Sequence, residues 1–159
     1  MAERLFGTKW SITTRKRKNR KRTWCAYLYS KAVCNFLFER FGLPEGEKSA
    51  NVRMPSLIRN LNPKQRIPFI VGVMDTDWGI LGNSFGTHCS SRMLLMDIRD
   101  ALKELLGINP KITRYFQGKF VSYQMRLSVA QKAKLFNALE TYFPLRNHKR
   151  RLCFQCRGG

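Results

Sequence analysis

Acidic residues are scarce in this chain. Ten Asp and Glu stand against 30 Lys and Arg, a formal net charge of +20 on 159 residues. So large an excess repels itself and calls for a polyanionic partner, either nucleic acid or an anionic membrane surface. Long apolar runs are missing too. No stretch approaches the ~18 consecutive apolar residues of a membrane-spanning helix. The start, Met1 to Trp10, has no apolar core of the kind a secretory leader carries. Cysteine is sparse and odd in number, at 25, 34, 89, 153 and 156. That pattern excludes a disulfide framework and reads as reduced thiols in an intracellular protein, cytoplasmic or nucleoid. Histidine is limited to His88 and His148. Cys153 and Cys156 with His148 lack a fourth ligand nearby, so a structural zinc site is not expected.

What is present suffices for a core. The hydrophobic fraction is 43% and the length suits one domain. The chain is organised around Asn62 to Gly79, NPKQRIPFIVGVMDTDWG. Asn62 suits an N-cap and Pro63 the first helical position. Ile67 to Met74 is apolar on every side, which predicts a helix buried all round. Gly72 in its middle permits close approach of another backbone. Two carboxylates, Asp75 and Asp77, then end the helix. A helix C-terminus disfavours negative charge, and a carboxylate at a buried interface needs a cation.

On either side the patterning is regular. Trp10 to Thr14 and Thr23 to Tyr29 read as strands flanking Arg15–Lys16–Arg17–Lys18–Asn19–Arg20–Lys21–Arg22. The simple reading is a hairpin with a basic tip; the alternative is a solvated, nuclear-localisation-like run. Ser30 caps an amphipathic helix over Lys31 to Phe41, which Gly42 and Pro44 end. Its Phe36, Phe38 and Phe41 suit a core or an interface. Ser49 to Pro55 reads as a strand. Ile80 to Gly82 and Phe85 to Cys89 read as brief strands, with His88 packed or DNA-adjacent. Ser90 or Ser91 caps a helix over Arg92 to Leu106, ended by Gly107. Lys111 to Phe116 and Phe120 to Ser128 form a hairpin turning at Gln117–Gly118–Lys119. Val129 to Phe143 is a last amphipathic helix, and a basic tail follows. Strand, serine, helix, glycine, proline and strand recur in the same order around residues 30–44 and 91–110, which suggests an internal repeat.

The segment Ile70–Val71–Gly72–Val73–Met74–Asp75–Thr76–Asp77–Trp78 resembles the signature helix of the LAGLIDADG homing endonucleases, of the archaeal and intein-type kind. Lys48–Ser49 running to Asn51–Val52–Arg53–Met54–Pro55 resembles the strand that precedes the second such helix. Leu5–Phe6–Gly7–Thr8–Lys9–Trp10 resembles the tail end of a first one. Trp78 stands where the motif has its last glycine, and Thr8 stands where it has an acid. The resemblance implies an α+β fold, a LAGLIDADG saddle of pseudo-twofold αββαββα repeats with antiparallel DNA-binding sheets. The chain is then one domain over 1–159: a partial first repeat at 1–61, a complete second at 62–144 and a basic tail at 145–159.

The implied function is site-specific double-stranded DNA cleavage with Mg²⁺ or Mn²⁺. By resemblance, Asp77 and the Thr76 carbonyl hold the metal, while Gly72 and Asp75 are structural. A lysine serves the metal-bound water, for which Lys132 is the candidate and Lys134 its neighbour. DNA contacts fall to Arg15, Lys16, Arg17, Lys18, Arg20, Lys21 and Arg22 on the first hairpin. On the second they fall to Lys111, Arg114, Gln117, Lys119, Gln124 and Arg126. A β-ribbon fits the major groove and these side chains reach base edges or phosphates. One acid is half of a two-acid site, so a homodimer through residues 63–78, or a missing complementary half, is expected. The alternative is a DNA- or RNA-binding protein without cleavage, a repressor or an intron-splicing maturase.

Overall fold

The computed structural model describes residues 7, 9, 11–15, 23–27, 29–42, 50–81, 84–118 and 120–140, without the side chains of 15, 23, 26, 117 and 140. They fall into two compact units, Met1–Leu43 and Pro44–Gly159. The fold is mixed α+β with antiparallel sheets.

In the first unit, β1 (Ser11–Arg15) and β2 (Thr23–Tyr27) pair antiparallel, from Ser11 opposite Tyr27 to Arg15 opposite Thr23. Both are rich in β-branched or aromatic residues, which suit a pleated ladder. The helix α1 (Lys31–Phe41) begins where the Ser30 hydroxyl accepts the Val33 N–H at 3.3 Å. It ends at Gly42, whose φ of 61° is left-handed and whose N–H donates to the Phe38 carbonyl at 2.9 Å.

The second unit carries the large core. A short helix, α2 (Ser56–Arg59), leads to a 3₁₀ turn, Pro63–Arg66. Asn62 and Gln65 cap that turn reciprocally. Then come α3 (Ile67–Asp77), β3 (Trp78–Leu81), β4 (Ser84–Cys89), α4 (Arg92–Leu106), β5 (Lys111–Gln117), β6 (Phe120–Leu127) and α5 (Val129–Glu140). The four strands form one antiparallel sheet in the order β3-β4-β6-β5. Alternation gives the sheet two unlike faces. Phe85, Met125 and Leu127 point into a core shared with Ile70 and Met74 of α3, Ile98 and Leu102 of α4, and Leu135 and Leu139 of α5. Gly86 lies where β4 and β6 approach most closely: a Cβ there stands 2.1 Å from the Met125 carbonyl oxygen. Among the described residues no helix is long and apolar enough to cross a membrane.

Two expectations are corrected. Described residues 50–55 form no strand. Their backbone groups are engaged by side chains of the α4 region instead of by a neighbouring strand. The Val52 carbonyl accepts the Ser91 hydroxyl, and the Met54 N–H donates to Asp97 Oδ2 at 3.1 Å. Nor is α3 buried all round. Ile67, Ile70, Val71 and Met74 are buried, whereas Pro68, Gly72 and Thr76 are exposed and Phe69 and Val73 half-buried. Among the described residues, no atom beyond Gly72's chain neighbours and the nearby helix backbone comes within 4 Å of where a Cβ on Gly72 lies. The core takes one face of the helix, Phe69 and Val73 pack at its margin, and Pro68, Gly72 and Thr76 form the exposed stripe.

Candidate functional site

The end of α3 is fixed by three local interactions. The Trp78 N–H donates to the Met74 carbonyl and breaks the helix into β3. Trp78 is 2% exposed and packs against Phe85 with ring centroids 5.5 Å apart. The indole at this position feeds the core. The Thr87 hydroxyl, buried on β4, donates to the Asp77 carbonyl at 3.1 Å. The Thr76 hydroxyl turns back onto the Gly72 and Val73 carbonyls, 3.2 and 3.1 Å away. The Asp77 side chain is left exposed, and that of Asp75 is half-buried.

The charge of Asp77 is felt across the ladder. The Cys89 thiol is pushed above the ordinary thiol range, chiefly by burial, with Asp77 adding to it and the Ser91 N–H opposing. The Ser91 N–H reaches Cys89 Sγ at 3.4 Å.

The uncovered face of the sheet is polar and cationic. Alternation and register place His88 on β4, Ser122, Gln124 and Arg126 on β6, and Lys111, Thr113 and Tyr115 on β5 on this face. Lys111 stands directly opposite Arg126, and Thr113 opposite Gln124. No carboxylate occurs among the residues of these strands, Trp78–Leu81, Ser84–Cys89, Lys111–Gln117 and Phe120–Leu127. Gln124 is only 6% exposed although it faces outward. Its amide meets the His88 ring, which lies edge-on to Tyr115 with centroids 5.4 Å apart. His88, Ser90, Tyr115 and Ser122 line a shallow depression of about 360 Å³.

The expected contact residues separate. Lys111, Gln124 and Arg126 share the open face. Arg114 alternates to the other face, where its guanidinium lies 4.7 Å from the Phe116 ring centroid. Lys132 sits in the first turn of α5, after β6 has ended, with its N–H on the Ser128 carbonyl at 2.8 Å. Lys134 lies against Gly107, the C-cap of α4, where a cation suits the helix end. The backbones of Arg15 and Gln117 close their strands, but their side chains are not described. Thr8, Lys16, Arg17, Lys18, Arg20, Lys21, Arg22, Lys119 and the tail with His148, Cys153 and Cys156 lie outside the described residues.

Tyr115 was accessible to sequence reasoning through strand alternation, since it shares parity with Lys111 on the same strand; an aromatic in a strand reads as core, which hid it. His88, expected to be packed or DNA-adjacent, is exposed on the open face. Neither protein-family models nor curated proteins match this chain.

Proposed function

We propose that the chain is a site-specific double-stranded DNA endonuclease of the LAGLIDADG type, hydrolysing phosphodiester bonds with Mg²⁺ or Mn²⁺. One observation carries the reading: an uncovered antiparallel sheet face, cationic and free of carboxylates, adjoins a helix whose C-terminus presents the exposed Asp77. A duplex offers closely spaced phosphates to such a face, and a β-ribbon fits its major groove. Lys111 and Arg126 meet phosphates or guanine edges. Gln124 and His88 are hydrogen-bonding groups for a base edge. Thr113 and Tyr115 add hydroxyls.

The donor set fits half of a metal site. Asp77 supplies a carboxylate and the helix end supplies carbonyl oxygens at the negative end of its dipole, ligands suited to a hard cation. Among the described residues no group of three His, Cys, Asp or Glu could hold an ion. A second Asp77, from another copy joined through residues 63–78, where Pro68, Gly72 and Thr76 are exposed, completes the set. A divalent ion, when bound, lowers the pKa of an attacking water and offsets charge developing on the phosphate. The chain's own residues position the scissile phosphate beside Asp77, hold the duplex in register and, through Lys132, place a cation near the attacking water.

A second reading is a DNA- or RNA-binding protein that does not cut, favoured by Thr8, which stands where the resembled motif has an acid. Sedimentation of the purified chain with and without duplex, followed by sizing of the products formed with Mg²⁺, separates the two. Dimers and cut duplex support the endonuclease. Salt-sensitive binding without any product in either metal overturns it and leaves the binding protein.

A further inference from the structure

The sheet face does not exhaust the cationic surface of the second unit. Off its β5 edge lies a separate cavity of about 350 Å³, built by two elements. Arg92, Met96 and Arg99 come from one stripe of α4, spaced four and three residues apart. Asn109, Pro110 and Lys111 come from the connection into β5. Arg92 is the first residue of α4, so the positive end of that helix's dipole adds to the same side. Among the described residues no carboxylate lines the cavity. Arg99 is held from outside it: Nε and Nη2 both donate to Asp100 Oδ1, at 2.9 and 2.8 Å. That pair fixes the guanidinium and offsets its charge, leaving Arg92 and Lys111 uncompensated by any recorded ion pair among the described residues.

A further feature points to an anion at the same corner. Lys111, at the rim of the cavity, stands opposite Arg126 in the β5–β6 ladder. Like charges directly opposite each other destabilise a sheet, and an anion at this edge offsets the pair. The cavity is too polar at its rim for an apolar ligand and has no acid to recruit a metal. Arginine forks match tetrahedral oxyanions.

We infer that the cavity bounded by Arg92, Arg99, Asn109 and Lys111 is a phosphate site, and that it holds a backbone phosphate of the nucleic acid just beyond the sheet edge. The backbone source rests on the proposed DNA-binding reading; the oxyanion chemistry does not. Such a contact positions the duplex without reading sequence. It extends the footprint from the sheet face onto the α4 side and fixes the register in which Lys111 and Arg126 meet the groove.

The test has two arms. In the first, the arginine Nε–H signals of the full chain are followed by NMR during titration with inorganic phosphate, against chloride at matched ionic strength. The expected result is a saturable response of Arg92 and Arg99 to phosphate alone, abolished at Arg92 by Arg99→Gln and retained in Arg59→Gln, a control outside the cavity. Equal responses to both salts, or responses spread evenly over exposed arginines, overturn the site. In the second arm, duplex affinity of wild type and the Arg92→Gln/Arg99→Gln variant is measured against salt. Loss of one phosphate contact lowers the slope of log K against log salt by about 0.9. An unchanged slope with an intact phosphate response overturns the backbone source and leaves a site for free phosphate. Absence of any duplex binding by wild type overturns the DNA reading instead, and the first arm still decides the cavity.

Discussion

The Thr87 hydroxyl donates to the Asp77 carbonyl at 3.1 Å, tying the last residue of α3 to the interior of β4. Thr87 is 2% exposed, so this bond sits out of water and sets how the helix ends relative to the sheet. Thr87→Val keeps the shape and removes the donor. The expected loss of stability is about 0.5–1.5 kcal/mol, read by urea unfolding. Under the proposed function, cleavage falls by more than duplex affinity does, because the bond positions Asp77 rather than the groove-facing residues.

Cys89 reports on the charge of Asp77. Its thiol is raised first by burial, with Asp77 contributing in the same direction. Removing that charge in Asp77→Asn is expected to lower the thiol pKa, so alkylation of Cys89 at a fixed mildly alkaline pH becomes faster. A thiol with a raised folded pKa contributes stability that is present below its unfolded value and is lost as pH rises through the folded one. Stability of the wild type is therefore expected to fall on the alkaline side more steeply than that of Cys89→Ser. An alkylation rate unchanged by Asp77→Asn contradicts the placement of Asp77.

Asp97 holds the segment that precedes the 3₁₀ turn. It accepts from Arg53 Nη2 at 2.9 Å and from the Met54 N–H at 3.1 Å, and the Asp97 side chain is 7% exposed. The Arg53 guanidinium is raised by the same hydrogen bond and charge. Asp97→Ala leaves the buried Met54 N–H without its acceptor, for an expected loss of about 1–3 kcal/mol. Arg53→Ala is expected to cost less, since that side chain is 44% exposed and its ion pair is screened. Thermal melts of the two variants give the order.

Gly86 admits no side chain. Its Cβ position is 2.1 Å from the Met125 carbonyl oxygen, part of the β4–β6 ladder. Gly86→Ala is expected to destabilise by about 1–3 kcal/mol or more, through separation of the two strands.

The open stripe of α3 sets the oligomeric state under the proposed function. Gly72→Glu adds a charge on the exposed side of α3, where a Cβ meets nothing within 4 Å among the described residues, away from the buried Ile70 and Met74. The expected result is a monomer by sedimentation with unchanged helical circular dichroism, and cleavage lost with the dimer.

Local signals carried much of the fold. The Ser91 cap, the apolar stripe of α4 and the left-handed Gly107 at φ 62° are written into neighbouring residues, as are Ser30 and Gly42 around α1. The run at 50–55 was illegible because its partners, Ser91 and Asp97, lie about 40 residues away and bond its backbone with side chains. The apolar composition of α3 could not say which face its own core would take. In the candidate site, alternation puts Gln124 and Arg126 on one face of β6, and the β5–β6 register brings Lys111 to the same face. Arg114 lies on the opposite face, over the Phe116 ring, and Arg92 and Arg99 come together only where α4 meets the connection into β5.

The most direct measurement is cleavage of a randomised duplex library in Mg²⁺ by wild type and Asp77→Asn, at concentrations giving equal duplex occupancy. The expected result is double-strand cuts at a recoverable sequence by wild type and none by the variant. Cuts of equal yield by Asp77→Asn contradict the role of Asp77, and binding without cuts by both contradicts the endonuclease.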